Sequence, residues 1–168
     1  MARRQAREKA LQILFEIDIK KETDIQLIVR ERFEDDNVTK KQQQFIEEIV
    51  AGTHANLQAI DEMLVKVLEG WNIERIGKVE RNILRLATYE MFFTDIADSI
   101  AINEAVELAK VFSTGQSASF INGILAKLIK TKDPAETANV TESIDESDNT
   151  DEPDNIDDED SVNGGTRD

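Results

Sequence analysis

The chain has 168 residues, of which 40% are apolar and 33% charged, enough for one domain with a packed core. It has no cysteine, so a disulfide framework and a cysteine-based zinc site are excluded, and no apolar run approaches the ~18 residues a membrane helix needs. The formal net charge of −15 divides unevenly: residues 1–132 carry 21 acidic and 19 basic side chains, a net of −2, whereas residues 133–168 carry 14 and 1, a net of −13.

No proline occurs in residues 1–132, and glycine appears there only at 52, 70, 77, 115 and 123. This scarcity of helix breakers predicts an all-α fold. The basic opening Met1-Ala-Arg-Arg-Gln-Ala-Arg7 lacks an apolar signal region and runs into an amphipathic pattern. A soluble cytoplasmic protein is therefore expected. Ala6, Ala10, Ile13, Leu14 and Ile17 recur at the three- and four-residue spacing of one helical face, predicting a helix over 3–19. Thr23 with Gln26 and Thr39 with Gln42 have the spacing of capping boxes and open helices over 24–33 and 40–52. Leu57, Ile60, Leu64, Val67 and Leu68 predict a helix over 53–69, with Gly70 as its stop. Gly52-Thr53 either separates this helix from the preceding one or kinks a single helix. Asn72, with Glu74 in the first turn, caps a helix over 73–93. The sets Ala105, Val106, Ala109, Phe112 and Phe120, Ile121, Ile124, Leu125, Leu128 predict helices over 100–113 and 117–131. Residues 133–168 combine low hydrophobicity, like charge and both prolines, Pro134 and Pro153, and read as an acidic disordered tail. Such a tail either solvates itself or competes with RNA for a basic surface.

Catalytic patterns are sparse. His54 is the only histidine, and neither G-x-G-x-x-G nor G-x-x-x-x-G-K-[ST] occurs. Adjacent carboxylates such as Glu47 and Glu48, or Asp61 and Glu62, point about 100° apart on a helix and do not converge. No enzyme, cofactor or metal site is expected. The N-terminal cluster Arg3, Arg4, Arg7 and Lys9 is more informative, opposed only by Glu8. Arg3 and Arg7 share a helical face with Arg4 beside them, and arginine forks suit phosphate oxygens and stack on bases. Cations also oppose the macrodipole at a helix start, so they call for a reason beyond helix stability. The alternative is a solvated first turn.

Three later runs read as the heart of a bundle with polar residues set among apolar ones: Val79 to Met91, with Arg81 and Arg85 on one face; Ala101 to Lys110; and Phe120 to Leu125. Glu90, Asn103, Glu104 and Asn122 require partners wherever they are buried.

The opening Arg3–Gln12 and these three runs, in this order and at these separations, resemble the NusB family over residues 3 to about 131. The resemblance implies two packed helical subdomains of about seven helices. It implies transcription antitermination through binding of the boxA element of ribosomal RNA leader transcripts, with the small-subunit ribosomal protein NusE as partner, inside an RNA polymerase complex. By position, Arg3, Arg4 and Arg7 match the family's RNA-binding segment, with Lys9 beside them. Phe15 and Glu80 match its partner surface, and Phe112 and Phe120 flank the last interhelical loop, where they meet RNA or the partner or pack in the core. NusB relatives occur as monomers or dimers, so a homodimer stays open. Two departures are visible: the loop Ser113–Ser119 lacks the charged residues of some relatives, and the acidic tail is outside the family pattern. Two other functions compete. One is the RNA-targeting domain of a methyltransferase, for which no catalytic domain follows. The other is a protein-binding helical module whose arginines are merely solvated.

Overall fold

A computed structural model describes residues 3–21, 24–33 and 38–132. The acidic segment 133–168 and the Thr23 half of the first capping box lie outside the described residues. Among the described residues seven α-helices follow in chain order: α1 (Arg3–Lys20), α2 (Ile25–Phe33), α3 (Lys40–Ala55), α4 (Leu57–Val67), α5 (Lys78–Phe93), α6 (Asp98–Phe112) and α7 (Gly115–Ile129). A single 3₁₀ turn, Ile73–Arg75, precedes α5. The described residues contain no strand. Helices α1–α3 and α4–α7 form two groups that share one continuous core, and α5 packs against α1, α3, α4, α6 and α7.

The periodic residues identified in the sequence form that core: Ala6, Ala10, Ile13, Leu14 and Ile17 of α1 are all buried, as are Ile83, Leu86 and Ala87 of α5. The Thr39 capping box is complete. The Gln42 backbone N–H donates to Thr39 Oγ1 at 3.3 Å, and the Thr39 N–H donates to Gln42 Oε1 at 3.0 Å.

Two boundaries differ from expectation. The chain neither breaks nor kinks out of helix at Gly52: α3 runs through it to Ala55, and Asn56 makes the break, its side-chain amide donating to the Gly52 carbonyl at 2.8 Å. Gly52 serves packing instead, because a Cβ there would lie 2.2 Å from the Tyr89 ring of α5. Asn72 does cap, accepting from the Glu74 N–H at 3.0 Å, but it starts only the 3₁₀ turn. Ile76 and Gly77 are extended (ψ 141° at both), so α5 begins at Lys78. Gly70 adopts φ +75°, the left-handed conformation expected of a residue that ends a helical segment.

Because α5 is enclosed on nearly every side, its polar residues have to be paired. Arg81 Nη2 meets Asp18 Oδ2 at 2.6 Å, Asn82 donates to the same oxygen at 3.0 Å, and Arg85 forms a two-pronged pair with Asp61 at 2.8 Å on each arm. Burial pushes the Asp18 carboxyl up, but the hydrogen bonds from Arg81 and Asn82 and the charges of Arg81 and Arg85 outweigh it and hold Asp18 below the ordinary aspartate value. This network ties the end of α1 to the start of α5. At the far end of the body Lys132 donates to the Met91 carbonyl and to Asp98 Oδ1, the latter at 2.6 Å, and its ammonium lies over Phe92.

Candidate nucleic-acid interface

The N-terminal turn of α1 lies between α3 and α6. Arg3 is exposed, with its guanidinium 5.0 Å from the centre of the Phe45 ring of α3. Arg4, 48% exposed, donates through Nε and Nη2 to the two carboxylate oxygens of Glu104 on α6, each at 3.2 Å. The hydrogen bond to Glu104 and its charge hold the Arg4 guanidinium above its ordinary value.

Arg7 is elsewhere. It is 4% exposed, and its Nε donates to both oxygens of Glu90 at 2.9 and 3.1 Å. The expectation that Arg7 stands on the surface with Arg3 and Arg4 is therefore corrected. The three residues do point to one side of α1, but the second turn is already covered by Phe45 of α3 and the end of α5. Arg7 neutralises a buried carboxylate. Lys9 is half-exposed and sits about 120° around the helix from Arg3, so it does not join the same face. The exposed cationic face thus consists of Arg3 and Arg4.

The polar residues of the later runs divide in the same way. Glu90 is buried and paired with Arg7, and Glu104 is half-buried and paired with Arg4. Asn103 and Asn122 are exposed.

On another face, Phe15, Phe112, Val79, Leu11 and Ile19 line an open apolar groove of about 570 Å³. Glu16, Lys20 and Arg32 form its rim, with Lys20 Nζ 2.7 Å from the Glu16 carboxylate. The hydrogen bonds from Lys20 and then Arg32 hold the Glu16 carboxyl below its ordinary value. Glu80, next to Val79, accepts hydrogen bonds from Ser113 and, at 3.0 Å, from Ser117. Burial raises its carboxyl, but the Ser113, backbone and Ser117 hydrogen bonds prevail and keep it low. The uncharged loop between α6 and α7, through Ser113, and the first turn of α7, through Ser117, therefore hold this carboxylate in place.

The structure brings together Phe15, Glu80 and Phe112. Phe120 is separate, 5.8 Å from the ring of Trp71, the only tryptophan, which is 59% exposed. The sequence reading did not single out Trp71; a lone tryptophan beside a helix stop was the available signal. His54 is half-buried beside a small cavity lined by Asp18, Asn82 and Arg85. No group of three or more potential metal ligands occurs among the described residues, and no described helix is long and apolar enough to cross a membrane.

Known proteins are similar to this chain in sequence and fold. The sequence pattern of the NusB family matches residues 4–130. The chain is 45% identical over 136 residues to the transcription antitermination protein NusB of Desulforamulus reducens, covering 80% of this chain and 94% of that protein. It is 46% identical over 134 residues to that of Pelotomaculum thermopropionicum, covering 79% and 92%. Among solved structures, T. maritima NusB superposes with a TM-score of 0.74 at 35% identity, covering 83% of this chain and 98% of that one. A chain from a crystal structure of antitermination factors NusB and NusE in complex with dsRNA gives a TM-score of 0.70 at 26% identity, covering 79% and 100%. By its match to the family pattern over residues 4–130 and its 45% identity to a relative covered over 94% of its length, this chain belongs to the NusB family.

Proposed function

We propose that this protein is a transcription antitermination factor that binds the boxA element of ribosomal RNA leader transcripts together with NusE, as part of an RNA polymerase complex. The observation that carries the reading is the likeness, over four-fifths of the chain, to a protein solved with NusE and RNA and to relatives named for antitermination. In this reading Arg3 and Arg4 hold RNA phosphates from the first turn of α1, with Lys9 as an outlying contributor, and Arg7 supports that turn from beneath. The groove of Phe15 and Phe112, with Glu80 fixed at its side, receives NusE: its apolar floor and charged rim have the make-up of a protein interface. Phe120 with Trp71 offers a further aromatic contact. The protein works without catalysis, cofactor or metal, in the cytoplasm where transcription runs.

A second reading is a protein-binding module whose arginines serve only structure. It is favoured by the pairing of Arg4 with Glu104 and the burial of Arg7. Filter binding with boxA and scrambled RNA, together with capture of NusE with and without boxA, separates the two. Preference for boxA and RNA-enhanced capture of NusE support antitermination. Capture of NusE without any RNA affinity supports the module.

A further inference from the structure

Helices α6 and α7 border a second open groove, of about 700 Å³, which none of the contacts described above explains. Ser99, Asn103, Val106 and Lys110 recur at four, three and four residues along α6, and Gly115, Ser119 and Asn122 at four and three along α7. These are two facing stripes. Gly115, Ala118 and Ser119 are small, which keeps the groove open. Its floor is apolar, formed by the buried Ile102 and Ala118. Asn103 and Asn122 lie within regular helix, where asparagine is less favourable than alanine. Both are exposed, and no hydrogen bond ties either amide to the described residues. Neither helix nor core gains from them.

The groove adjoins the cationic turn of α1 through Glu104, the partner of Arg4. Glu104, which holds the Arg4 fork, lies part-way along its α6 side, which runs from Ser99 to Lys110. We infer that this groove reads the bases of the single-stranded RNA held by Arg3 and Arg4, with Asn103 and Asn122 as the residues that determine sequence preference; the inference rests on the RNA-binding reading above. Amides both donate and accept, which matches base edges, and an apolar floor suits base faces. Arg4, beside the groove, takes a flanking phosphate, and its Nη1 makes no hydrogen bond among the described residues, whereas Lys110 is paired with Glu107 at 3.3 Å. A protein partner would be expected to require a larger apolar or charged surface than these neutral side chains supply.

The test compares wild type with Asn103→Ala/Asn122→Ala and, separately, Ser119→Phe, which fills the groove. Binding of boxA RNA and of a scrambled RNA of the same composition is measured across a salt series, with circular dichroism for folding and capture of NusE as a control. The amide variant should lose about tenfold in boxA affinity per amide. Scrambled-RNA binding, the salt slope and NusE capture should stay unchanged, and Ser119→Phe should reproduce the loss. Unchanged preference for boxA in the folded amide variant overturns the inference. So does equal loss on both RNAs, or loss of NusE capture with RNA preference intact. A wild-type protein with no preference for boxA overturns the RNA-binding reading itself, and the groove assignment with it.

Discussion

The buried Arg7–Glu90 pair separates a structural arginine from an RNA-binding one. The two side chains are 5% and 2% exposed, and both Glu90 oxygens accept from one Arg7 nitrogen at 2.9 and 3.1 Å. Arg7→Ala leaves a carboxylate in the core without its cation, which costs about 3–5 kcal/mol. Set against a total stability of about 5–15 kcal/mol, that is a large share. With a urea m-value of about 1.5 kcal/mol/M, the denaturation midpoint should fall by about 2–3 M. Glu90→Ala should cost a similar amount, because it strands the guanidinium. Arg7→Met/Glu90→Leu removes both charges and refills the space, so its stability should return to wild type within about 1 kcal/mol or rise above it. The same double variant should bind RNA as wild type does, because Arg7 lies beneath the surface. Urea titrations followed by circular dichroism, paired with filter binding, give all the values. A cost for Arg7→Ala below about 1 kcal/mol, or a double variant as unstable as the two single losses added together, would refute the reasoning. Normal stability with lost RNA binding would return Arg7 to the interface.

Two exposed arginines holding single-stranded RNA should give a salt slope near −1.4, from about −0.7 per phosphate, and Arg3→Ala/Arg4→Ala should flatten it toward zero while the fold survives; an unchanged slope would place the phosphate contacts elsewhere. Gly52→Ala should destabilise by about 1–3 kcal/mol through the Tyr89 ring, yet stabilise by up to about 1 kcal/mol in a Tyr89→Ala background, where only helix propensity remains; equal effects in both backgrounds would deny the contact. Asp18 has a depressed carboxyl value, so its contribution is fully present above about pH 4, the unfolded-state value, and is lost as pH falls through the folded value. The stability gap between wild type and Asp18→Asn should therefore shrink from pH 7 to pH 3, and a constant gap in urea titrations would contradict it. Truncation after Lys132 keeps that residue's anchor to Met91 and Asp98, so the melting temperature should move by less than about 2 °C. Removing the net −13 should also tighten RNA binding at low salt only, and a drop of many degrees would mean the acidic segment docks on the body.

The sequence by itself determined what depends on neighbours within about four residues. The spacing of Ala6, Ala10, Ile13 and Ile17 specified a helix and its buried face, and Thr39 with Gln42 specified a cap, because helix hydrogen bonds and side-chain neighbours repeat over that distance. The family was legible for a related reason: its runs are contiguous stretches of chain. The tertiary structure decided what depends on partners distant in sequence. Asn56 rather than Gly52 ends α3, because the glycine is engaged by Tyr89, 37 residues later. Arg7 and Arg4 are adjacent on one helical side, yet one meets Glu90 in the core and the other meets Glu104 at the surface. The difference is set by where α3, α5 and α6 cover α1, and the charge pattern of α1 contains no record of it. The grooves beside Phe15 and between α6 and α7 are likewise spaces between helices. They exist only once packing has fixed which faces stay uncovered, because a cavity belongs to the arrangement of elements rather than to any one of them.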